Sequence, residues 1–211
     1  MGLFLSMSGV VGGKEDSVVN ALRNYAEVKD GSLQEAKLTT EDEGCLITSE
    51  GTGGVTVFYP SDFFEWDSAA EYLSHQIRKP VFSFHIHDGD LWMYLLYENG
   101  KIIDQFNPVP DYWQELDDEE RRSWQGSATT VAQRVPGLEP DQIARYLVQW
   151  GDEVFESAER KKAYPADEFF RGDDWQLVDF MCKLGLEYPL DDKGAVHGHT
   201  YRFKYKSSEN S

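Results

Sequence analysis

Two histidines and two aspartates share one short string, His85-Ile86-His87-Asp88-Gly89-Asp90. In an extended chain, residues two apart project from the same face, so His85 and His87 point the same way. If Asp88-Gly89 form a two-residue type I′ turn, His87 lies opposite Asp90, Ile86 opposite Leu91 and His85 opposite Trp92. Two imidazoles and a carboxylate in one hairpin could supply part of a Zn²⁺ or Mn²⁺ shell, the core of a metal-dependent hydrolase. A second pair, His197-Gly198-His199, would complete that shell if the C-terminal segment folds back onto the hairpin. The metal-ligand candidates are therefore His85, His87, Asp90, His197 and His199.

A structural reading competes with the metal. His85 would stack on Trp92 and His87 would pair with Asp90, each cross-strand pair adding ~0.2–1 kcal/mol to the sheet. The string also departs from the H-x-H-x-D-H motif of metallo-β-lactamase-like hydrolases. Its acids fall at the fourth and sixth positions, and the final histidine is missing. No other chemistry stands out. There is no G-x-S-x-G nucleophile elbow, no Walker A lysine and no dinucleotide fingerprint. Asp117-Asp118-Glu119-Glu120 and Asp173-Asp174 fall at helix starts, where they complement the helix dipole. The sequence thus designates no catalytic residue and no cofactor motif, and leans away from an enzyme.

Charge and aromatic content point elsewhere. The 211 residues include 38 acids and 20 bases, a net charge of −18. Such a field repels nucleic acid and anionic membrane and favours a basic protein partner. Aromatic residues concentrate at Phe58, Tyr59, Phe63, Phe64 and Trp66, and again at Tyr112 and Trp113. Trp66, Tyr112 and Trp113 are the candidate interface anchors, because Trp and Tyr dominate interface hot spots. The expectation is a non-enzymatic, cytoplasmic regulatory protein of inhibitor or immunity type that recognises a basic protein. Cys45 and Cys182 lie far apart without metal-type spacing and are expected as two buried free thiols. No apolar run reaches the ~18 residues that span a bilayer. Met1–Ser6 fits the loose myristoylation pattern but runs into an alternating stretch that reads as a strand.

These residues need a scaffold. Alternation predicts a strand near 3–11, a helix from Glu15, an edge strand over 35–40, strands at 45–48 and 55–59, and a helix with a Ser68/Glu71 capping box. A three-stranded meander follows, its second turn at Asn99-Gly100. The order approximates a βαββαβ unit, and the expected fold is α+β. An N-terminal ferredoxin-like two-layer sandwich (1–109) is followed by a mainly helical half (110–211), packed together as one body. In that second half, helical spacing predicts one helix from Asp117 to Val135 and another after Pro140. A charged helix over 153–162 and a helix capped by Asp173 and Gln176 come next. A closing edge strand spans 201–206.

Overall fold

The structure is a computed structural model and describes residues 2–37, 45–151, 154, 160–191 and 193–205. Eight antiparallel strands form one sheet: β1 (Leu5–Val11), β2 (Gly31–Glu35), β3 (Leu46–Glu50), β4 (Gly54–Phe58), β5 (Val81–His87), β6 (Leu91–Glu98), β7 (Lys101–Phe106) and β8 (His199–Tyr205). Their spatial order is β2-β8-β3-β4-β1-β5-β6-β7. The helices are α1 (Glu15–Val28), α2 (Trp66–Ile77), α3 (Asp118–Ser123), α4 (Ala128–Ala132) and α5 (Gln176–Lys183), with a 3₁₀ turn at Pro140–Gln142.

This architecture replaces the expected ferredoxin-like sandwich and its helical C-terminal half. The sheet is buried on both faces, and alternation within each strand shows why. Val10, Val55, Val57 and Val81 pack with Val18, Leu22, Ala69 and Leu73 of α1 and α2. Met7, Val11, Phe82, Phe84 and Ile86 face the opposite way, onto Leu177, Phe180 and Met181 of α5 and onto the irregular chain between β7 and β8. That chain is a covering layer built of short helices and turns. Its end, β8, pairs with both β2 and β3, so it is an interior strand and not the expected edge. Of the predicted 35–40 strand, β2 ends at Glu35 and residues 38–40 lie outside the described residues; so do 153, 155–159 and 206.

Several local expectations change for physical reasons. The first meander turn has three residues, so His87 pairs with Leu91, Ile86 with Trp92 and His85 with Met93. A shift of one residue flips every side chain on a strand. It sends Trp92 into the α5-side core and takes it away from His85. The second turn is as expected: Glu98 pairs with Lys101, and Asn99 and Gly100 take φ of 51° and 76°. Helix α2 starts before Ser68, with Glu65 as N-cap and no side-chain cap bond, so the capping box does not form. The Asp117/Glu120 capping box does form, but the helix stops at Ser123 because Gln125 bridges to Phe106 and the Asn107 N–H donates to the Trp124 carbonyl. After Pro140 the apolar spacing is used for burial without a helix: Ile143 and Tyr146 are buried, while backbone groups bond outward, the Arg145 N–H to the Tyr164 hydroxyl and the Trp150 N–H to the Pro108 carbonyl. Cys45 is buried as expected, whereas Cys182 is exposed. No helix among the described residues is long and apolar enough to cross a membrane.

Candidate functional site

The candidate site lies where β1 begins and β4 and β5 end. Ser6 and His85 are direct partners across β1 and β5, both projecting towards α2. Their side chains meet, Ser6 Oγ lying 3.0 Å from His85 Nδ1. Trp66, the first residue of α2, lays its ring flat on His85, with centroids 4.7 Å apart and planes 4° from parallel. Helix α2 is thereby fixed over the sheet end, and Asp67 beside it accepts a 2.7 Å bond from the Ser83 hydroxyl. Burial holds Asp67 above the usual carboxylate range, only partly offset by that bond.

His85 is nearly enclosed, and its pKa falls to about 4, first because burial disfavours the imidazolium and second because of neighbouring His87. It is therefore a neutral aromatic ring at physiological pH. The Nε2 of His85 lies 3.4 Å from Nδ1 of His87. His87 is ringed by aromatic edges, with Phe4 at 5.0 Å, Trp113 at 5.0 Å and Tyr112 at 5.5 Å. The Tyr112 hydroxyl donates to Asp90 at 2.6 Å, and this bond to a carboxylate pushes the phenol up to about 12.

Beside this cluster a groove of about 800 Å³ runs along Leu3, Phe4, Phe58, Phe64, Trp66 and His85. Its rim is unusually apolar for a surface, Phe64 being 85% exposed and Phe4 47%, and Trp113, 53% exposed, stands nearby against His87. The segments that build it carry no lysine or arginine, and those after Ser6 carry acids, of which Glu65 is paired with Lys29 at 2.9 Å and Asp111 with Arg121 at 2.8 Å. Residues 58–67 contain Asp62, Glu65 and Asp67; residues 85–98 contain Asp88, Asp90 and Glu98; residues 107–120 contain six acids. The arrangement is a row of aromatic faces in a negative field, suited to attracting and stacking cations.

All three interface candidates, Trp66, Tyr112 and Trp113, thus converge on the histidine pair. The five metal-ligand candidates do not converge. Asp90 is engaged by Tyr112, and the carboxylate does not face His87 across the hairpin as the two-residue turn implied. His199 lies on β8 opposite Thr48 and contacts Glu15 at 2.9 Å; its pKa is raised by that partner. His197 lies 3.8 Å from Asp191. Three strands separate β8 from β5, so the two histidine pairs are ~19 Å apart at ~4.8 Å per strand step. Among the described residues no group of three or more His, Cys, Asp or Glu is arranged to hold a metal ion. Phe4 escaped the sequence reading because it sits out of phase in the Leu3/Leu5 alternation. That mismatch, a large apolar residue on the polar phase of a strand, was the available signal.

Comparison of the chain with family models, curated proteins and solved structures returns no match.

Proposed function

We propose that this protein is a non-catalytic, cytoplasmic binding protein that holds a cationic segment of a basic protein partner in the aromatic groove. The observation that carries the reading is the exposed row Phe4, Phe64 and Trp113 around Trp66 and the histidine pair, set among acids in a chain of net charge −18. Large apolar side chains left in water are costly unless something covers them, and aromatic anchors dominate interface energies. A guanidinium over such a ring contributes roughly 0.5–2 kcal/mol, and the acidic surround speeds encounter with a basic surface. His85, neutral and fixed by Ser6 and Trp66, serves as part of the floor. An inhibitor that masks the nucleic-acid-binding face of a basic partner would have this character.

The test is a titration of the full chain with a hexa-arginine peptide at low salt, following the fluorescence of its tryptophans, with hexa-glutamine as control. A saturable change specific to the cationic peptide, weakening as salt is raised, is expected. An equal response to hexa-glutamine, or none to either peptide, would refute the reading.

A further inference from the structure

The groove is continued on the α5 side of the sheet. Phe58, in its wall, meets Tyr188 edge-on at 5.9 Å. Tyr188 in turn stands perpendicular to Trp175, at 5.6 Å and 88°, and Phe169 flanks Trp175 at 6.3 Å. These rings form an aromatic corner in a second cleft of about 690 Å³, which is also lined by Glu168, Glu187 and Asp191, by His197, which lies 3.8 Å from Asp191, and by no lysine or arginine.

The corner is held in place by its neighbours. Asp179 of α5 accepts the backbone N–H groups of Glu168 and Phe169, at 3.0 and 2.8 Å. The Trp175 N–H donates to Asp173 at 3.1 Å. Asp191 accepts the N–H groups of Lys193 and Ala195, both at 2.8 Å, and these bonds keep its carboxyl below the usual range, hence ionised. The pairing of Leu190 with Val196 closes that loop against the cleft.

Elsewhere in the same layer, the protein covers its aromatic faces with its own cations. Arg160 and Lys162 lie over Phe170 at 4.9 and 5.5 Å, and Arg145 and Lys183 over Tyr164 at 5.2 and 5.3 Å. Among the described residues no such cation lies over Trp175, Tyr188 or Phe169. Two perpendicular rings with three carboxylates around them are the setting that receives an ammonium or guanidinium group, by attraction to the ring faces and to the acids together.

We infer that the Trp175–Tyr188 corner is a second subsite, which takes one lysine or arginine side chain of the same basic partner. The inference rests on the proposed function above and adds a location and a ligand chemistry to it. A partner with basic side chains spaced across Phe58 and Tyr188 would engage both clefts, and linking the two events would raise affinity beyond either alone.

The experiment is an NMR titration of the ¹⁵N-labelled full chain with N-acetyl-argininamide, N-acetyl-lysinamide, neutral N-acetyl-norleucinamide and tetramethylammonium. The Trp175 indole N–H is assigned by Trp175→Phe. A saturable shift of that signal with the two cationic amides is expected, at least fivefold weaker in Glu168→Gln/Glu187→Gln. Both substituted side chains are exposed, so that variant should keep the wild-type spectrum elsewhere. A shift equally large with the norleucine amide, or unchanged in the double variant, would overturn the inference. Tetramethylammonium binding tenfold or more tightly than the amides would assign the corner to a free quaternary ammonium ligand and overturn it as a partner subsite. Hexa-arginine perturbing Trp113 while Trp175 stays silent would sink this inference alone. Amides acting at Trp175 without any effect of hexa-arginine at Trp113 would sink the proposed function while leaving a cation site here.

Discussion

His85 makes the stability of this fold sensitive to acid in a calculable way. Its pKa is lowered from 6.5 to about 4 in the folded protein, chiefly by burial. In the unfolded chain it takes up a proton below about pH 6.5, whereas the folded chain resists until about pH 4, so stability is full above the unfolded value and is lost on acidification between the two. At 1.36 kcal/mol per unit, passing from about pH 7.5 to about pH 5 removes ~2 kcal/mol through this one ring. His85→Phe keeps a ring to stack on Trp66 and removes the titration, at the cost of the contact with Ser6, worth ~1 kcal/mol. The assay is urea denaturation of wild type and variant at both pH values. The variant should be slightly less stable at the higher pH and lose ~2 kcal/mol less on acidification, since the remaining groups cancel in the difference. Identical pH dependence of the two proteins would refute the assignment, as would an NMR titration placing the His85 midpoint at or above 6.5.

Three further substitutions probe the frame. Asp174 is raised to about 6 by burial and, after that, by Asp173; its contribution is full below the unfolded pKa and lost as pH rises through about 6, so Asp174→Asn should stabilise the fold by ~1–2 kcal/mol near pH 7.5 in thermal melts and little near pH 4. Gly54 has φ of 155°, and a Cβ there would come within 2.0 Å of the Val10 carbonyl oxygen, so Gly54→Ala should cost ~3 kcal/mol in denaturant titrations, a loss under 1 kcal/mol contradicting the geometry. Asp117 caps α3 by accepting from the N–H groups of Glu119 and Glu120; Asp117→Ala should remove ~1 kcal/mol locally, seen as roughly fivefold faster amide exchange at those two positions.

Local chemistry was legible in the sequence wherever a short pattern decides the outcome. Alternation in 81–87 placed Phe82, Phe84 and Ile86 on one face and His85 and His87 on the other, as their burial in separate layers bears out. Asn99-Gly100 specified its turn and Asp117 with Glu120 their cap. Long-range pairing was not legible. Nothing local in His199–Tyr205 says that this strand inserts between β2 and β3, which is what turns the expected edge strand into an interior one. Asp88-Gly89 carries a two-residue turn signal, yet the Gly89 N–H donates to the Leu3 carbonyl and the loop takes Asp90 as well. That single residue moved Trp92 away from His85 and left the ring to Trp66, which lies 19 positions earlier in the chain. The aromatic candidates were legible as types; their convergence was not, because it depends on where α2 and the 109–116 segment return to the sheet end.

Cation capture by the aromatic groove is checked by calorimetric titration of hexa-arginine into three proteins at about 50 mM and about 300 mM salt: wild type, Phe64→Ala/Trp113→Ala, and Asp16→Asn/Glu27→Gln on the exposed face of α1. Loss of two aromatic anchors worth ~1–2 kcal/mol each should weaken binding at least tenfold at both salt concentrations. Loss of two distant charges should weaken it less than threefold, and mainly at low salt. Equal weakening by both variants would mean that diffuse charge, and not the aromatic groove, holds the cation.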